Sequence, residues 1–223
     1  MWRLYHFCLC PYSRKARIAL GEKRVPFTLR HEDYWQRRTR FLELNPAGQT
    51  PVLHDAEAGI TLADSTAIVE YLDETVADYP LIGKTPAARA EVRRMTGWFD
   101  QKFHEEVTRY LFEEKLWKRL IHKAAVNPAA VRAALYNIRG HMDYIGYLSD
   151  RRRWLAGDDF SLADIAAAAQ VSVIDYFGDI DWDAFGPAKE WYMRVKSRPS
   201  VRPLLADRVN GLPPSRVYDK LDF

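Results

Sequence analysis

Two hydrophobic periods succeed one another along the chain. Trp2, Leu4 and His6 alternate with Arg3, Tyr5 and Phe7, the two-residue period of a short, aromatic-rich strand. Pro11 suits a first helical turn, and Ala16, Ile18, Ala19 and Leu20 supply an apolar stripe that stops near Gly21, Lys23 and Arg24. Val25 to Leu29 predicts a second strand, an edge or a strand start because of Pro26. Residues 34–44 predict a weak, Arg-rich helix. After the turn Asn45-Pro46-Ala47-Gly48, Thr50 to His54 predicts a third strand and Ile60 to Leu62 a fourth. Ala63-Asp64-Ser65 then opens a helix to about Glu74. The first 78 residues read as a small α/β unit with a mixed sheet.

Residues 79–86 hold Pro80, Gly83 and Pro86 and read as a linker. Beyond it the strand signals stop. Val92, Met95, Phe99, Phe103, Val107, Tyr110 and Leu111 recur at helical spacing, to an end near Lys123. Asn127-Pro128 opens a helix over 129–148. Ser161 and Asp164 have capping-box spacing, and Phe160 and Ile165 that of a hydrophobic staple. The helix behind them, to about Tyr176, is so apolar that it should be buried on most sides. Helices at 187–197 and 201–206 complete an all-helical half, 87–208. Residues 209–223, with Gly211, Pro213 and Pro214, read as an extended tail.

The counts narrow the class. Of 223 residues, 48% are hydrophobic and 28% charged, which excludes wholesale disorder. The net charge of +3 is too small to argue for nucleic acid. No apolar run of about 18 residues exists, so no membrane span is expected, and Met1 to His6 lacks a signal-peptide layout. Cys8 and Cys10 sit too close for a structural bridge, so reduced thiols in a cytoplasmic protein are expected. Two thiols without a His or Cys pair nearby make a poor zinc site, so no metal is expected and Cys8 reads as core packing.

Several of these segments carry a family likeness. Cys10-Pro11-Tyr12-Ser13-Arg14, Asn45-Pro46-Ala47-Gly48-Gln49-Thr50-Pro51-Val52-Leu53, Asp64-Ser65, and Trp154-Leu155-Ala156-Gly157 through Ser161-Leu162-Ala163-Asp164 stand in one order and spacing. In these the chain resembles the glutathione S-transferase superfamily over nearly its whole length. The resemblance implies a thioredoxin-like N-terminal domain, an all-helical C-terminal domain and a homodimer. The end of the chain, Arg198 to Val209 followed by Gly211 to Pro214 and Leu221-Asp222-Phe223, resembles a narrower group. It is similar to the transferase-like bacterial division proteins that bind FtsZ, the FzlA type.

The candidate chemistry has two sides at each site. Cys10 stands where a strand meets a helix N-terminus, a place that stabilises a thiolate. It reads as a nucleophile toward glutathione or as a small buried residue. Residue 13 is Ser, so any redox cycle is monothiol. Thr50-Pro51 resembles the cis-proline site that presents backbone to glutathione, or else only maintains the fold. Asp64 and Ser65 resemble the pair that holds the γ-glutamyl end, and they cap a helix in either case. Trp35, in the Arg-rich stretch with Arg37, Arg38 and Arg40, reads as a partner anchor or a satellite core residue. Arg109 faces a partner, a glutathione carboxylate or only water. Arg151-Arg152-Arg153 reads as a solvated loop. Leu221, Asp222 and Phe223 end the chain with two apolar side chains, so the tail either packs back or docks on a partner, and the resemblance favours docking.

Two functions follow. The first is a dimeric division adaptor that binds FtsZ through Trp35, Arg109 and the tail, modulates its filaments, requires no cofactor, and is cytoplasmic with recruitment to the division site. The alternative is a glutathione-dependent transferase or thiol reductase with Cys10 as nucleophile, where glutathione is substrate or ligand.

Overall fold

A computed structural model describes residues 1–223. Four strands form one sheet in the order β2-β1-β3-β4. They are β1 (Trp2–His6), β2 (Phe27–His31), β3 (Val52–Asp55) and β4 (Ile60–Ala63). β1 and β2 are parallel with Leu4 opposite Leu29, and the other pairs are antiparallel. The parallel pair is joined through α1 (Pro11–Glu22), as parallel strands need a crossover. β2 lies at an edge, where the missing N–H of the nearby Pro26 does no harm. The predicted weak helix at 34–44 resolves into a 3₁₀ turn, Tyr34–Gln36, and α2 (Thr39–Leu44), separated by Arg37 in a left-handed conformation. α3 (Ser65–Thr75) completes the mixed α/β unit.

From α4 (Pro86–Gly97) onward every helix or strand element is helical. Pro86 sits in the first turn behind the N-cap Thr85. The predicted single long helix continues without a break but widens into π-helical turns at Trp98–Thr108 and Glu113–His122, flanking α5 (Arg109–Phe112). α6 (Pro128–Ser149), α7 (Leu162–Phe177) and α8 (Gly186–Lys196) follow, then a 3₁₀ turn at Arg202–Ala206. No helix is long and apolar enough to cross a membrane.

α7 is the axis of the core. Every residue from Leu162 to Tyr176 is buried, as its run of alanines predicts. Its start is fixed by the expected capping box, in which Ser161 and Asp164 bond each other's backbone. Asp164 also accepts from Leu155 N (3.0 Å) and Trp191 Nε1 (3.0 Å), and burial pushes its carboxyl up to about 6. Its end is Gly178, whose φ of 75° needs a residue without Cβ strain.

α1 packs directly on α7 and ties the halves together. Arg14 is wholly buried and donates to Cys8 O (2.7 Å) and Ser172 Oγ (2.8 Å). Asp207 receives Arg17 at 2.8 Å and Arg14 at 3.4 Å. Two buried guanidiniums are tolerated here because each has anionic or carbonyl partners.

The tail is not an extended free arm. Tyr218 is fully buried, and its hydroxyl donates to Leu204 O at 2.7 Å. Ser215 N donates to Tyr176 O at 2.8 Å. Phe223 packs its ring on Trp182 (5.1 Å) and Tyr192 (6.2 Å). Of the two readings of the tail, packing back holds for the Phe223 ring, while Asp222 stays exposed. Aromatic burial and ordinary backbone hydrogen bonds hold the tail, and a short terminus with such partners does not fray.

Candidate functional site

A cleft opens where α1 begins. Cys10 is the N-cap of α1 and is 6% exposed, with Sγ 3.5 Å from Thr50 O. The two stand 40 residues apart in sequence, and the fold brings them together. The Thr50–Pro51 bond is cis, as the resemblance implies. Asp64 caps α3 through its side chain, accepting from Thr66 N at 2.6 Å and Ala67 N at 3.3 Å. Ser65 beside it is buried.

Two adjoining cavities make up the cleft. One, of about 220 Å³, lies between Cys10, Tyr12, Tyr34, Phe112 and Trp117, with Arg109 also on its wall. The other, of about 630 Å³, is polar and holds Thr50, Pro51, Asp64, Ser65, Asp100 and Gln101. They share Tyr12, Gln49, Thr50 and His104. All four expected glutathione-site residues therefore face one cavity, and Cys10 and Arg109 face its neighbour.

Several residues of the cleft carried no sequence signal of their own. His104 lies against Tyr12 with the two rings tilted and their centroids 5.1 Å apart, and burial lowers its basicity. Tyr12 donates to Asp100 O at 2.8 Å, and burial pushes its hydroxyl well above the usual range. Asp100 is bound by the Lys15 ammonium, and burial pushes its carboxyl up against that pairing. Tyr12 did stand in the quoted Cys10-to-Arg14 motif. His104 neighbours the apolar stripe position Phe103 but has no spacing that would mark it.

The partner candidates fall in separate places. Trp35 is half-buried in an aromatic cluster, 4.9 Å from Trp117 and 5.3 Å from Phe7. It lines another cavity, of about 730 Å³, with Cys8, Leu116, Leu120 and Arg208. Trp117 touches Trp35 and faces the Cys10 cavity, so it joins the two hollows. Arg109 is exposed, with its guanidinium 4.8 Å from the Tyr110 ring. Leu221, Asp222 and Phe223 line none of these three cavities, and only Asp222 is fully exposed. Arg37, Arg38 and Arg40 are all exposed, and Arg38 is held by buried Glu32. No cluster of three metal-binding side chains exists.

Comparison with known proteins gives a consistent picture. A family model described as the glutathione S-transferase N-terminal domain matches residues 9–75. FtsZ-localized protein A of Caulobacter vibrioides is 49% identical over 222 residues, covering 99% of this chain and 97% of that protein. The solved structure of FzlA from C. crescentus matches with a TM-score of 0.96 at 49% identity, over 100% of this chain and 99% of that one. A glutathione S-transferase from Rhodospirillum rubrum F11 matches with a TM-score of 0.98 at 49% identity, over the whole of both chains.

Proposed function

The chain belongs to the glutathione S-transferase superfamily and groups there with the FzlA type, and from that membership we propose that it is a division adaptor which binds FtsZ and modulates its filaments. One observation carries the reading: 49% identity to FtsZ-localized protein A runs through 99% of this chain. Likeness confined to the first domain would support only the fold.

On this reading the adaptor works as a cytoplasmic homodimer at the division site. Two-fold symmetry gives it two identical partner surfaces, so one dimer bridges two filament subunits with avidity. Trp35, Arg109 and the Leu221–Phe223 end supply the partner contacts. Exposed Arg37 and Arg40 suit an acidic partner surface. No cofactor is required, and glutathione chemistry contributes little or nothing.

Electron micrographs of polymerised FtsZ, with and without the chain, test the proposal. The expected result is a change in filament curvature or association that scales with added chain. Filaments that look the same in both would contradict it.

A further inference from the structure

The edge strand β2 offers a free backbone ladder. In a parallel pair, only alternate residues of a strand turn their N–H and C=O groups toward the neighbour. Glu32 N donates to His6 O at 2.9 Å, and His6 stands opposite His31. Thr28, Arg30 and Glu32 therefore turn their backbone groups toward β1. Phe27, Leu29 and His31 turn theirs outward, and no backbone bond from outside the sheet reaches them. Pro26 bounds this free stretch at its start. Every residue from Thr28 to His31 is exposed, and Leu29, at 43%, is the one leucine of the chain open to water to that degree.

The charge at this edge has one sign. Neither β1 nor β2 contains an Asp or Glu, whereas Arg3 and Arg30 stand in them and Arg24 just precedes β2. Arg3 is opposite Thr28 and Arg30 is opposite Tyr5, so both arginines lie on one face of the sheet. Leu29 and His31 lie on the other. The two acids that follow β2 are already taken: buried Glu32 holds Arg38, and Asp33 holds His31 at 2.7 Å. A second copy of the chain pairing at this edge would bring the same cations with it, so like-charge repulsion closes the edge to itself.

We propose that β2 docks an extended acidic segment of a partner protein as a fifth strand of the sheet. The segment's backbone bonds the outward groups of Leu29 and His31. An apolar side chain of the segment covers Leu29, and carboxylates at alternate positions meet Arg30 on the other face. A nucleic acid would match the charge but has no backbone to continue the ladder. The edge uses none of Trp35, Arg109 or Leu221–Phe223, so the inference does not rest on the filament reading.

Three end-blocked peptides test it against the full chain at low salt: Glu-Val-Glu-Val-Glu, its basic counterpart Lys-Val-Lys-Val-Lys, and the acidic peptide methylated on both valine nitrogens. Fluorescence anisotropy gives the affinities, and amide spectra of the isotope-labelled chain give the place. The acidic peptide binds and shifts the Leu29 and His31 amides most. Methylation removes its binding without changing its charge, because the valine N–H groups are the ones that face β2. Arg30→Glu weakens the acidic peptide about fivefold, since a cross-strand attraction becomes a repulsion. Arg30 is exposed, so an unchanged Tm in that variant separates lost charge from lost fold. No binding of the acidic peptide, equal binding of the basic or the methylated one, binding unchanged by Arg30→Glu, or amide shifts that spare β2 overturns the proposal.

Discussion

The Lys196 ammonium lies 4.2 Å from the centroid of the Phe223 ring, so residue 223 is clamped onto α8. The same ammonium is buried and pairs with Asp175 at 3.3 Å, and Asp175 also receives Trp182 Nε1 and Tyr192 Oη. Phe223 thus closes a shared cluster. Replacing Phe223 with Ala should lower stability by about 1–2 kcal/mol, from a lost aromatic contact and a cation–π pair. Urea unfolding measures this. An unchanged midpoint would mean the ring packs there without contributing.

The start of α7 gives a larger effect. Asp164→Ala leaves Leu155 N, Ser161 N and Trp191 Nε1 buried without their acceptor. The loss should be about 3 kcal/mol or more, against about 1 kcal/mol for Ser161→Ala, which removes only the cap. Thermal or urea unfolding of the two variants checks the ranking.

Glu91 predicts a pH dependence. The Arg94 fork at 2.8 and 2.9 Å, with Arg152 at 2.6 Å, holds its carboxyl down to about 2. Its ordinary value is 4.5. A depressed folded value means the stabilisation is complete above the ordinary value and is lost as pH falls from there toward 2. Its partner Arg94 is half-exposed, so screening by water keeps the size at neutral pH below about 1 kcal/mol. Stability of wild type minus Glu91→Gln, measured at pH 7 and pH 3, should shrink at the lower pH. A constant difference would refute the assignment.

Cys10 and filament binding should separate. The thiol is 6% exposed and faces Thr50 O, so Cys10→Ala removes little surface that a protein partner could touch. Filament pelleting by Cys10→Ala should equal wild type, while any thiol transfer to glutathione disappears. A variant that loses both would show that one surface serves both roles.

What was legible in the sequence was local. The Ser161–Asp164 box and the Ala-rich run behind it determine α7 within a few residues, and Pro26 marks β2 as an edge. Asp64 and Ser65 could be placed at a helix start because N-caps bond backbone two and three residues on. The rest depended on distant partners. The folding back of the tail rests on Trp182, Tyr192 and Lys196, none of them its neighbours in sequence. His104 belongs to the cleft only because Tyr12 of α1 comes to lie against it. The widening of the long helix into π-helical turns leaves its apolar spacing close to 3.6, so periodicity could not reveal it.

Co-sedimentation with polymerised FtsZ tests the central claim most directly, comparing the full chain with one ending at Tyr218. The adaptor account predicts that the full chain pellets with filaments in proportion to FtsZ. It also predicts weaker pelleting of the shortened chain, which lacks Leu221, Asp222 and Phe223. A folded full chain that stays in the supernatant at every FtsZ concentration would contradict it.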